Sequence, residues 1–95
     1  MRTSKEIAIF FGDSNQEKAN AMLEEVVSVI EGGSVLPIMG IWQGNKEHSF
    51  MLLLLEEEYI KKKDKILEIM KKYEQQGIFV LEMGLGYVEY VEEEV

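Results

Sequence analysis

The chain predicts an α+β sandwich, a single domain over residues 1–95 with two helices covering one face of an antiparallel sheet. Three observations carry this. An apolar stripe at helical spacing follows a serine-led cap; two apolar arms flank a polar, glycine-containing turn; a second helical stripe leads through a glycine into a last apolar run. In chain order these give strand, helix, strand, strand, helix, strand. That is the split β-α-β pattern of the ferredoxin-like fold, βαββαβ.

Each element has its own signature. Lys5–Phe11 reads as a strand, with Ile7, Ile9 and Phe11 on one face and Ala8 and Phe10 on the other. Ser14-Asn15-Gln16-Glu17 matches a capping box, in which Ser14 and Glu17 satisfy free backbone donors. Ala19, Met22, Leu23, Val26, Val27 and Ile30 then form one helical stripe, stopped by Gly32-Gly33. The second helix runs from Glu57/Glu58 to Gln76, acidic at its start and lysine-rich in its body, as the helix dipole favours. Its buried stripe is Ile60, Ile66, Leu67, Met70 and Tyr73, and Gly77 is its stop. Ile78–Met83 is the last strand. Gly84-Leu85-Gly86 interrupts it as a bulge or bend, and Tyr87–Val91 is an optional extra C-terminal strand before the acidic tail Glu92–Glu94.

Between the helices lies the hairpin Ser34–Glu56, with Gln43–His48 as its turn. Val35, Leu36, Ile38, Met39, Ile41 and Trp42 fill its first arm, and Phe50–Leu55 is apolar throughout. Strand side chains alternate between faces, so such arms leave no solvent face. One face meets the helices. The other calls for a second sheet, and a second copy of the chain would supply it. Pro37 cannot donate a ladder hydrogen bond, which points to an edge strand, a bulge or a late strand start.

Composition narrows the classes of function. The net charge of −8 disfavours nonspecific nucleic-acid binding, which depends on cations neutralising phosphates. It suits solubility, a basic partner surface or mimicry of nucleic acid. Cysteine is absent, so disulfides and thiolate metal sites are excluded. The apolar run after Arg2 and Lys5 is too short for a signal peptide, and no run approaches a membrane span. A cytoplasmic protein is expected, with no membrane and no direct nucleic-acid partner.

The element order, the Gly44-Asn45 turn and the run Gly77-Ile78-Phe79-Val80 resemble PII-like signalling proteins. The resemblance implies a ferredoxin-like homotrimer that binds nucleotides in clefts between subunits. The turn is shorter than that family's loop, and Glu74-Gln75-Gln76 lacks its basic, glycine-rich phosphate segment. Arg2 is the only arginine.

No residue set here forms a catalytic motif. His48 is the only histidine and lies among polar turn residues. Ser28, Ser34 and Ser49 belong to no nucleophile motif. The lysines from Lys61 to Lys72 are interrupted by Asp64 and Glu68, as on a solvated helix face. The clusters Glu56–Glu58 and Glu89–Glu94 lack calcium-loop spacing. The sequence therefore supports a small non-enzymatic regulatory or ligand-sensing module without cofactor or metal. It would self-associate through its sheet, as dimer or trimer, with a small ligand at a subunit cleft lined by Gly40, Trp42, Gly44, Asn45 and Gly77. The alternative is an acidic interaction or inhibitor protein, phage-derived or a nucleic-acid mimic, that occupies a basic protein partner. A small-substrate enzyme of the dimeric α+β barrel type is the third reading.

Overall fold

The computed structural model describes residues 2–88. Six elements follow in the expected order: β1 (Arg2–Asp13), α1 (Gln16–Val29), β2 (Ser34–Trp42), β3 (Asn45–Leu55), α2 (Glu56–Lys72) and β4 (Phe79–Val88). The sheet order is β2-β3-β1-β4, and every neighbouring pair is antiparallel. This is the ferredoxin-like arrangement.

Both helices lie over the two central strands, β1 and β3. The core is therefore one face of those strands, Ile7, Ile9 and Phe11 with Phe50, Leu52 and Leu54, against Ala19, Met22 and Val26 of α1 and Tyr59, Ile66, Ile69 and Met70 of α2. Cross-strand pairs such as Ile9–Leu52 and Phe11–Phe50 set this register. Shifting it by one residue would turn the whole set to the other side.

Several boundaries differ from the sequence reading. The cap of α1 is Asn15, not Ser14: its side chain accepts the Lys18 N–H at 2.9 Å, while Asp13 accepts the Asn15 N–H at 2.9 Å. Of the expected α1 stripe only Val27 is exposed; Ile30, just past the helix end, packs on the core as expected, and Val29 joins it. The stripe of α2 keeps Ile66, Met70 and Tyr73 as expected but not Ile60 and Leu67. Tyr59 and Ile69 are buried, whereas Ile60 is 66% exposed and Leu67 faces outward as well. The helix also stops at Lys72 rather than Gln76.

That early stop has a specific geometry. Glu74 adopts a left-handed φ of 60°, its N–H donates to Lys71 O at 3.0 Å, and the Gln75 N–H donates to Met70 O at 2.9 Å. These are the two bonds of a Schellman motif, with a non-glycine residue at the left-handed position. The backbone strain predicts that Glu74→Gly raises stability by about 1 kcal/mol, read as a higher urea midpoint at unchanged m-value.

The hairpin turn is tighter than Gln43–His48. Trp42 pairs with Asn45, leaving Gln43 (φ 50°) and Gly44 (φ 79°) as a two-residue turn. Positive φ at both positions is the primed geometry that suits strand twist. His48 thus belongs to β3, exposed and paired with Asp13 and Met39, rather than to the turn. Pro37 fits because β2 is an edge strand.

β4 runs unbroken through Gly84-Leu85-Gly86, so those residues do not interrupt it. The register slips beside Glu6/Ile7, where Gly84 takes a φ of 100°, and this is a bulge. Tyr87 and Val88 belong to β4 itself. The rest of the expected extra strand Tyr87–Val91, with the tail Glu92–Glu94, lies outside the described residues.

Candidate functional site

The sheet face away from the helices is apolar and uncovered. Directly paired residues share a face, so the register places Leu36, Ile38 and Trp42 of β2 beside Met51 and Leu53 of β3. Phe10 and Ala8 of β1 follow, then Phe79 and Leu81 of β4. Phe10, Met51 and Leu53 are half-buried, whereas Leu36, Ile38 and Leu81 are exposed. Among the described residues no element crosses this face. On the helix side, Met39 and Ile41 are also exposed because the helices cover only the central strands.

One end of the open face deepens into a cleft of about 620 Å³ between the hairpin and the segment joining α2 to β4. Three of the five expected ligand-site residues, Gly40, Trp42 and Gly77, line it. Gly44 and Asn45 sit at the hairpin tip, outside that lining. Ser49, Glu47 and Phe79 also line it, and the sequence alone does not select them.

Local packing explains the hollow. Gly12 and Ile38 pair with Ser49 on either side, and Gly40 lies two pairs further along β2. A Cβ on Gly12 would sit 2.7 Å from the Ser49 Cα, and one on Gly40 would sit 3.2 Å from the Ser49 Cβ. Ser49 already occupies the space a Cβ would need at either glycine, and neither glycine projects a side chain above it, so the surface stays low here. Trp42 stands 54% exposed at one side, and Phe79 packs tilted on Phe10 with ring centroids 5.6 Å apart.

A second hollow of about 810 Å³ lies where the turn after α1 meets the start of α2. Glu6, Glu31, Glu57 and Glu58 line it with Lys61, and two of these carboxylates, Glu31 and Glu58, serve the chain. The Glu58 carboxylate accepts the Glu31 N–H at 2.5 Å, and this bond holds its pKa below the usual glutamate range. Lys62 Nζ donates to Val29 O at 2.9 Å, satisfying a carbonyl at the end of α1. No group of acidic residues or histidines among the described residues is arranged to hold a metal ion.

The helices are tied by Glu25, which accepts from the Tyr73 hydroxyl and from Lys72 Nζ at 2.9 Å. The Tyr73 bond first, then Lys72, lowers the Glu25 pKa, while Glu25 raises those of Tyr73 and Lys72. A lowered carboxylate stabilises the fold above its ordinary pKa of 4.5, and that contribution is lost as pH falls through the lowered value. The raised groups contribute below about pH 10 and lose that contribution as pH rises further. Glu25→Gln is expected to reduce the drop in Tm between pH 7 and pH 3.5, as followed by circular dichroism. An unchanged drop would assign acid sensitivity elsewhere, with Glu58 the next carboxylate to test.

Among the described residues no helix is long and apolar enough to cross a membrane. No protein-family model matches the chain, and no curated protein matches it. A crystal structure of a DUF3240 family protein from Shewanella baltica OS155 is similar at TM-score 0.50 and 7% identity, over 97% of each chain. A functionally unknown protein from Pediococcus pentosaceus ATCC 25745 shares 21% identity over 99% of each chain, at TM-score 0.42. At 7% identity the first likeness concerns the fold alone, and the second bears no weight.

Proposed function

We propose that the chain is a small non-enzymatic regulatory or ligand-sensing module that self-associates through its open sheet face and holds a small ligand in the Trp42 cleft. The observation that supports this most is the uncovered face itself. Soluble monomers rarely leave a contiguous patch of this kind in water. Four strands contribute to it, and Leu36, Ile38, Phe79 and Leu81 surround the half-buried Phe10, Met51 and Leu53.

The resemblance to PII-like proteins agrees with this reading in element order and in the placing of ligands at subunit clefts. The cleft continues from the open face, so a copy seated there would wall it further. Sedimentation velocity at micromolar concentration is the direct test: a dimer or trimer is expected, and a clean monomer would remove the basis for the assembly. Thermal-shift screening addresses the ligand. Should a lysate pull-down instead recover a basic partner that high salt releases, the acidic-inhibitor reading would take precedence.

A further inference from the structure

We propose that the Trp42 cleft takes a small organic cation with an apolar body, an arylalkylamine in its simplest form; this rests on the ligand-binding reading of the same cleft. Three independent features of the cleft point to that chemistry.

Its charge is one-sided. Asp13, Glu47 and Glu74 line it, and no lysine, arginine or histidine does. Asp13 is already engaged, accepting from the Asn15 N–H and lying 3.7 Å from Lys18 Nζ. Glu47 and Glu74 have no ion-pair partner among the described residues. An anionic ligand would meet repulsion there, and a cation would meet carboxylates whose charge nothing in the cleft balances.

Its floor carries an unused polar group. Ser49 is buried, only 8% exposed, and its hydroxyl has no hydrogen-bond partner among the described residues. The hydroxyl sits between Gly12 and Gly40, in the space a Cβ would need at either, and Ser49 lines the cleft. No fully buried side-chain nitrogen or oxygen among the described residues lacks a partner, so this hydroxyl is open to the cleft and awaits an incoming partner. A bound N–H donor would provide one. Glu47, two residues away on the same strand face, stands roughly 7 Å along β3, within one small ligand's reach.

Its walls are aromatic. Trp42 is exposed and lies diagonally across the β2–β3 pair from Glu47, and Phe79 lines the far side of the cleft. Rings attract a cation through their negative faces, and they shelter an apolar body.

The test uses three probes of similar shape: phenethylamine, 2-phenylethanol and phenylacetate, each titrated calorimetrically into the full chain at pH 7. Trp42 is the only tryptophan, so its fluorescence excited at long wavelength reports occupancy of this cleft in parallel. Phenethylamine is expected to bind roughly tenfold more tightly than 2-phenylethanol, with phenylacetate weakest and the amine's affinity falling with salt. Glu47→Gln should cost about tenfold for the amine and almost nothing for the alcohol, and Ser49→Ala about fivefold. Equal binding of the three probes would overturn the cation assignment while leaving the ligand-binding reading intact. Amine binding that Glu47→Gln leaves unchanged would overturn it in the same way. Absence of binding by all three overturns the assignment too, and sedimentation then decides separately whether self-association stands.

Discussion

Leu36→Lys and Leu81→Lys, made separately, are each expected to abolish the proposed self-association, leaving monomer at micromolar concentration. Both residues lie on the open face, on opposite edge strands, and both are already partly exposed within one chain. A folded monomer therefore accepts a lysine at either place at little cost, its ammonium reaching water along its stem. In an assembly through this face the same residue is desolvated. Losing a buried leucine costs about 2 kcal/mol, and a symmetric contact loses it twice. The sum, about 4 kcal/mol, is roughly a thousandfold in dissociation constant, before any cost of stranding the charge. Sedimentation velocity measures the state, and an unchanged far-UV circular dichroism spectrum shows that the chain still folds. If the parent sediments as a dimer or trimer and both variants do the same, the open face is not the contact.

Leu52→Ala carries the largest expected effect on stability. Leu52 is fully buried on β3, paired with Ile9 on one side and Val35 on the other, under both helices. Truncation removes buried methylenes and leaves a cavity that strands β1 and β2 hold open, a loss of about 3 kcal/mol. For a domain of this size, 3 kcal/mol lowers Tm by roughly 12–24 °C. The neighbouring Leu53 provides the contrast, since it points to the open face and is half-buried. Leu53→Ala is expected to lower Tm less in dilute protein and to make Tm depend on concentration. A concentration-independent loss equal to that of Leu52→Ala would place the two residues in one core.

Periodicity makes the order of elements legible, because a helix and a strand bury residues at different spacings. It does not choose between adjacent stripes. On α2, Ile60 and Leu67 lie next to Tyr59 and Ile66 around the helix, and only packing on the sheet selects the second pair. At the start of α1, Ser14 and Asn15 are both good caps, and the acceptance of the Lys18 N–H decides for Asn15. The turn looks too long in the sequence because Asn45–His48 carry no apolar signal. They lie where the strands run past the helices, so nothing there needs burying. In the cleft, Gly40, Trp42 and Gly77 are legible as a glycine-and-aromatic group. Ser49 is not, because its burial comes from glycines on two other strands and depends on a register set over long range.

The place of β1 bears on how the molecule is made. The first strand of the chain is an inner one, flanked by β3 on one side and β4 on the other. During synthesis it leaves the ribosome with neither neighbour available, and β4 follows roughly several seconds later at ordinary elongation rates. Until β3 is made Ile7–Phe11 has no neighbour to pair with, and an unpaired apolar strand is the kind of segment that chaperones hold and that aggregates when they do not. The β2–β3 hairpin, closed by its two-residue turn, can form alone in microseconds and wait as the template to which β1 docks. Biogenesis thus proceeds from the middle of the chain outward, and the ends of the described fold meet last.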